Sequence, residues 1–338
     1  MREALWFSQN GHSVTIASPG DGELYRRSGA AGLATYPVAM RNSVHPPSLI
    51  SLFSIIKERQ ISVIYSHSGK DSWLGGICGV VARVPLVRSR ELFSRIKRKS
   101  AYYLPKRVLA CSEGVKAHLV ASGVDPAKVF VQYPPVDVEK FLNVPKEARM
   151  AVSHELGLEG IYPIIAHVGE FRGEKRQEDL IAALPSVVAE FPAALLLLVG
   201  RGKYSDLMKD RASALGVEGY VRFLGEREDV PAILANADIF AFPSDVEPFG
   251  MSPVEAMAAG VPVVVTGVGG LKEIVSDGVN GLHVPRRDPH ALASTIIKLL
   301  KDPTLSRQFV EAGRERARFF DAETAMNRLL EHFRAVIG

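Results

Sequence analysis

Runs that are apolar at every position recur along this chain, and each is followed by a segment with helical spacing. LLLLV at 195–199, IFAFP at 239–243 and VPVVV at 261–265 are the clearest. A strand that is apolar on both faces must be covered on both faces, which only helices flanking a parallel sheet achieve. The alternation covers nearly the whole sequence. HSVTIAS, ISVIYS, PLVRS, RVLAC and KVFVQ read as strands in the first half; YPIIAHV, LLLLV, YVRFL, DIFAF, PVVVT and GLHVP read as strands in the second. Helical spacing predicts helices over 49–59, 72–83 and 112–122, and two more at 305–319 and 323–337 close the chain. The fold class is therefore α/β with doubly wound parallel sheets. At 338 residues the chain is long enough for two cores. The prolines of YPPVDVEKFLNVP (133–145) break both helix and strand there. This divides the sequence into 1–143, 144–320 and a final helical segment, 321–338.

The longest apolar run, AALLLLVG, is far too short to span a bilayer, and the first residues carry no signal-peptide core. Only two cysteines occur, Cys78 and Cys111, both in apolar segments. They read as reduced core residues, which suits a cytoplasmic chain. The charge is unevenly spread: the first 143 residues hold 19 Lys and Arg against 10 Asp and Glu, the remainder 22 against 27. The two halves are expected to meet different partners.

Chemistry concentrates in DVEPFGMSPVEAMAAG (245–260), between the strand DIFAFP and the strand VPVVV. Ser252 followed by Pro253 and Glu255 reads as a helix start with an S-x-x-E capping box, and Gly260 reads as its end. A loop ahead of a helix N-terminus, at the mouth of a parallel strand, suits phosphate. Glu255 alone could serve only the cap. Glu247, in the loop with Pro248, Phe249 and Gly250, is not needed for a cap and makes a second carboxylate, E-x7-E. The segment HVGEFRGEKRQEDLIAA (167–183) also leaves a strand and opens a helix. Its Arg172 and Lys175 put positive charge where the helix dipole disfavours it, which points to an anion there.

These motifs, with GVPVVVTGVGGLKEIVSDGVNGLHV (260–284) and GEREDVPAILANADIFAFPS (225–244), resemble the retaining glycosyltransferases of family 4. The resemblance implies the GT-B fold: two Rossmann-like domains facing a cleft, the last helix crossing back onto the first. It implies transfer of a sugar from a nucleotide diphosphate sugar to a glycan or lipid-linked acceptor, with retention and without a side-chain nucleophile. Lys175, with Arg172 in place of the family's usual arginine (that position holds Glu170), would grip the donor diphosphate. Glu247 would hold the sugar hydroxyls and Glu255 the ribose. Gly250, Met251 and Ser252 would offer N–H groups to phosphate. Gly200 would let the nucleotide approach the backbone, and Phe223 and Leu224 would border the base through the main chain. On the acceptor side lie His67 and Glu91, the latter where the family often has histidine. The pairs Gly269–Gly270 and Asp277–Gly278 read as turns. The family's first strand and Gly-Gly loop do not appear ahead of REALWFSQNGHSVTIASP, so the first sheet is expected to lack its central strand.

Asp245-x-Glu247 faintly resembles a metal-holding doublet, but a hard cation needs more oxygens. With Arg172 and Lys175 at hand, no metal and no cofactor beyond the donor is expected. The cations Arg83, Arg88, Arg90, Arg95, Lys97, Arg98, Lys99, Lys106 and Arg107, interleaved with apolar residues, read either as a solvated helix face or as a surface for anionic membrane at the inner face. No nucleic-acid motif accompanies them. Two other readings stand beside transfer: a noncatalytic sugar-nucleotide-binding protein, and a nucleotide-sugar epimerase or phosphorylase on the same fold.

Overall fold

The computed structural model describes residues 1–40, 44–96 and 99–337. It divides into two compact units: Met1–Pro135 with the chain from Glu323 onward, and Val136–Ala322. Residues 136–143 thus cluster with the second unit. The short helix Val138–Leu142 buries Val138 and Phe141 there.

The first unit carries β1 (Thr15–Ser18), β2 (Ala34–Pro37), β3 (Ile64–Ser66), β4 (Leu86–Arg90), β5 (Arg107–Ala110) and β6 (Val129–Val131). All pair in parallel, but in two separate sheets: β1 with β2, and β3-β4-β5-β6. One edge of β1 and one edge of β3 therefore go without a strand among the described residues. The sequence reading missed the helix Glu23–Ala30 and β2. Both are weakly marked, because ELYRRSGA has only one buried residue, Ser28, and ATYP ends in proline.

The last helix, Ala322–Ile337, presents Ala325, Met326, Leu329 and Phe333 as one apolar stripe. That stripe packs on Phe7, Val87 and Leu109 of the first unit. Phe333 meets the rings of Phe7 at 5.4 Å and Tyr65 at 5.2 Å. Gln132 ties the same helix down by donating to the Ala325 carbonyl at 2.8 Å.

The second unit carries β7 (Ile164–Val168), β8 (Leu195–Val199), β9 (Val221–Gly225), β10 (Ile239–Phe242), β11 (Val263–Thr266) and β12 (Leu282–Val284). The order is β12-β11-β10-β7-β8-β9, all parallel. This is the doubly wound arrangement, and the chain reverses its direction of winding between β7 and β10. β8, β10 and β11 are buried at every position, as their unbroken apolar runs require. Each such Leu or Val contributes about 1.5–3 kcal/mol when withdrawn from water. At a winding reversal the loops leaving two neighbouring strands diverge, and a crevice opens beyond the strand ends.

Leu329 is fully buried at the centre of its stripe. Leu329→Ala is expected to destabilise the first unit by about 2–5 kcal/mol. Urea unfolding followed by Trp6 and Trp73 fluorescence, both residues lying in the first unit, checks this.

Candidate active site

Four loops leave the carboxyl ends of β7, β8, β10 and β11, and hydrogen bonds stitch them together. Gly169 N–H donates to the Val199 carbonyl at 2.9 Å, and Phe171 N–H to the Arg201 carbonyl at 2.9 Å. Asp245 N–H donates to the Glu174 carbonyl at 2.8 Å, and Gly270 N–H to the Glu247 carbonyl at 3.0 Å. Two glycines permit this closeness. A Cβ on Gly200, whose φ is +134°, would lie 2.1 Å from the Gly169 carbonyl oxygen. A Cβ on Gly270 would lie 2.5 Å from the Phe249 Cα. Gly270 is therefore more than a turn former: only a residue without a side chain lets the β11 loop back the Glu247 loop.

At the winding reversal the loop of β7 brings Lys175 to the loop of β10, where its Nζ donates to Glu247 Oε2 at 2.5 Å. Glu247 is buried, and Lys175 keeps one-fifth of its side chain in solvent. The ammonium also sits 4.9 Å from the centre of the Phe242 ring. Under it lies a histidine that the sequence reading did not single out. His167 is wholly buried, stacks on Phe242 at 5.1 Å, and places Nδ1 3.0 Å from the Ala241 carbonyl. Gln177 Nε2 lies 3.3 Å from His167 Nε2 and donates to the Glu170 carbonyl at 3.0 Å. The ring thus carries its proton on Nδ1 and accepts at Nε2. Burial holds its pKa at about 4, opposed by the Ala241 hydrogen bond and assisted by the charge of Lys175.

The helix expected to begin at Ser252 begins earlier. It spans Met251–Ala258 with Gly250 as its N-cap in the left-handed region, φ +111°, and no side chain caps it. Ser252 is its second residue, so the S-x-x-E box does not form. Glycine takes the role because this φ strains any other residue and because a Cβ would lie 2.6 Å from Leu271 Cδ2. With no capping side chain, the first-turn N–H groups have no partner inside the helix. Glu255 stands one turn in and is half-buried.

Arg172 pairs with Glu170 at 2.7 Å, both half-exposed. Arg176, with φ +55°, pairs with the buried Asp179 through two hydrogen bonds, at 3.0 and 2.7 Å. Asp245 is held at Oδ2 by Arg287 Nε at 2.7 Å, while its Oδ1 is buried without a hydrogen-bond partner. The two carboxylates of the doublet Asp245-x-Glu247 are therefore each bound to a different cation. Phe223 and Leu224 pack their side chains on opposite cores of the second unit, which leaves main chain at the end of β9.

Two family models match the chain: "Glycosyltransferase Family 4" over residues 2–140 and "Glycosyl transferases group 1" over 151–316. A mannosyltransferase of Mycolicibacterium smegmatis, named as GDP-mannose-dependent and acting on phosphatidylinositol monomannoside, is 36% identical over 297 residues, 80% of this chain and 77% of its own. The chain belongs to the family 4 glycosyltransferases. Among solved structures, a glycosyltransferase from Rickettsia africae matches with a TM-score of 0.90 at 21% identity, covering 99% of this chain and 93% of its own. Anabaena HepE in complex with UDP matches with a TM-score of 0.87 at 23% identity, covering 99% and 94%. These neighbours establish the GT-B fold.

On the first unit of this glycosyltransferase, His67 and Glu91 come together, with 3.6 Å between Nδ1 and Oε1. A third member, Glu3, lies 3.9 Å from His67 Nε2; no motif marked it. Burial would lower the His67 pKa, but the hydrogen bond to Glu91 and the surrounding carboxylates outweigh it and raise it. That same hydrogen bond lowers Glu91, whereas burial raises Glu3. The basic stretch does not form one surface. Arg88 is buried on β4, and Arg107 lies over the Phe130 ring at 4.3 Å with Nη1 2.8 Å from His332 Nδ1. Lys97 and Arg98 lie outside the described residues. No described helix is long and apolar enough to cross a membrane.

Because the folded pKa of His167 lies below that of an unfolded histidine, the unfolded chain takes up a proton between pH 6.5 and about 4 that the native ring refuses. Stability therefore falls as pH drops through that window, by about 3 kcal/mol in all. His167→Asn keeps an N–H for the Ala241 carbonyl and removes the titration. Urea midpoints measured from pH 7 to 4.5 are expected to fall less steeply in the variant than in the wild type.

Proposed function

We propose that this glycosyltransferase takes a nucleotide diphosphate sugar as donor and transfers the sugar with retention, without a metal ion. The observation that carries the reading is the Lys175 ammonium lying on the Glu247 carboxylate at the winding reversal. An ammonium has three N–H bonds, so one can stay on Glu247 while the others reach a diphosphate. Positive charge there would offset the charge growing on the leaving nucleoside diphosphate, the role a divalent ion has elsewhere. The open first turn of Met251–Ala258 supports the same reading, since N–H groups of Met251 and Ser252 can meet phosphate oxygens.

Glu247 is the group proposed to hold the sugar hydroxyls, and Glu255 the ribose. Arg172, half-exposed on Glu170, is proposed to turn from that carboxylate to the diphosphate. Gly200, with Phe223 and Leu224 at the end of β9, would leave backbone beside the base. Departing phosphate then takes the proton of the acceptor hydroxyl as it attacks the same face of the sugar. The names of two similar proteins, one GDP-mannose-dependent and one bound to UDP, agree on a nucleotide and differ on the base. An acceptor that is a glycan or lipid-linked, at the inner face of the membrane, completes the proposal.

Lys175→Ala and Glu255→Ala are each expected to weaken binding of the preferred donor at least tenfold, read by titration calorimetry after a thermal-shift screen of UDP-, GDP- and ADP-sugars. Unchanged affinity in both variants rejects this placement of the nucleotide. Transfer is expected to persist in EDTA and to give product with the donor's anomeric configuration by NMR. Turnover that vanishes in EDTA and returns with magnesium or manganese rejects the metal-free mechanism.

A further inference from the structure

The first unit buries a guanidinium that forms no salt bridge among the described residues; the Asp71 carboxylate acts on it only through space. Arg88 on β4 is 4% exposed. Its Nη1 donates to the Ala101 carbonyl at 3.1 Å, and its charge lies 3.9 Å from the centre of the Tyr102 ring. Its Nε is buried without a hydrogen-bond partner, as is the Tyr102 hydroxyl. Neither a carbonyl nor a ring offsets the cost of removing a full charge from water, which amounts to several kcal/mol per ion.

The remaining arm of the fork, Nη2, points to Gly69, where it would lie 4.0 Å from an added Cβ. Gly69 is the first residue of the 14-residue helix Gly69–Ala82. That helix is capped by a reciprocal box between Ser68 and Asp71. Asp71 accepts from the N–H groups of His67 and Ser68 and from the Ser68 hydroxyl, so both its oxygens are taken by the cap. The Gly69 and Lys70 N–H groups, at the positive end of the helix, have no partner inside it. Lys70 is exposed and adds a cation to a helix end that disfavours one. Arg90, two residues beyond Arg88, spends its guanidinium on the Leu92 carbonyl and on Ser94.

We propose that Arg88 Nη2, the Gly69 and Lys70 amides and the Lys70 ammonium together form a binding site for a phosphate group, separate from the donor site. A planar fork beside helix N–H groups matches the tetrahedral oxygens of a phosphate ester. Assigning that phosphate to the acceptor rests on the transfer reading above; the binding does not. An acceptor carrying a phosphate would be anchored by it here while its hydroxyl reacts elsewhere.

The test uses the full chain with its donor site filled by UDP or GDP, so that added phosphate cannot occupy it. Inorganic phosphate and glycerol phosphate are titrated by calorimetry into the wild type, Arg88→Gln and Lys70→Glu. At least tenfold weaker binding in each folded variant, with nucleotide affinity unchanged, is the expected result. Should Arg88→Gln fail to fold, the exposed Lys70→Glu carries the test alone. Wild-type affinity in either folded variant overturns the proposal, and so does a wild type that binds neither anion. Tighter binding of the ester identifies the phosphate of a larger molecule as the natural occupant; tighter binding of the inorganic ion identifies free phosphate. A chain that binds the ester and no nucleotide would reject the donor proposal and leave this one standing.

Discussion

The candidate site of the second unit depends on one ion pair, Lys175 with Glu247, formed where neighbouring strands send their loops apart. Both groups come from loops, and loops at a sheet's end are not rigid by themselves. Their rigidity is imposed from below and from the side. Beneath, the neutral His167 is packed flat on Phe242 and is held at both ring nitrogens. Beside them, the backbone bonds Asp245 to Glu174 and Gly270 to Glu247 tie each loop to the next. A charge-assisted hydrogen bond is shorter and stronger than a neutral one, and removing Lys175 would leave the buried Glu247 carboxylate without its cation.

Neutrality of His167 is a condition of that arrangement. A protonated imidazole would present a second positive charge close to Lys175 and would lose its acceptor for Gln177. Gln177 would then have only the Glu170 carbonyl to hold. Through Gln177 the neutral ring is thus linked to the Glu170 carbonyl of the loop that carries Arg172 and Lys175. Stability and site geometry share the same residue.

What the sequence made legible follows from what the physics leaves in a pattern. Every strand of the second unit was readable, the inner ones most plainly, because a strand covered on both faces must be apolar throughout; LLLLV and VPVVV have few other ways to fold. Lys175 and Glu247 were readable by their wrongness: a cation near a helix start and a carboxylate with no capping duty. Ser252 misled for the opposite reason. Its sequence fits a cap well, but Gly250 reaches a φ of +111° and opens the helix two residues earlier, and a capping motif does not record backbone dihedrals. His167, Gln177 and Arg287 left no pattern, since their partners are distant in sequence or are main-chain carbonyls. The helix Glu23–Ala30 and β2 went unread because a short segment at the margin of a sheet has little apolar surface to reveal it. Gly270 was visible as half of a Gly-Gly pair, yet nothing local distinguishes a turn glycine from one that backs another loop.

The two units handle positive charge in opposite ways, and the contrast bears on what each is for. In the second, Arg172, Lys175, Arg176 and Arg287 each rest on a carboxylate. A site so balanced can wait empty at little cost, and an incoming anion must compete with or share a partner already present. In the first, Arg88 is buried against a carbonyl and a ring, with the Asp71 carboxylate acting on it only through space. An empty site of that kind is costly to the fold, and an arriving anion gains what the fold has forgone. Under the two proposals, affinity would be set by exchange in the first case and by relief of an incompletely answered charge in the second. If the donor is a nucleotide diphosphate sugar, as proposed, a diphosphate must be released at each turnover, and exchange is the suitable arrangement for it. A group that anchors without reacting is better served by relief, because nothing in the chemical step changes its charge.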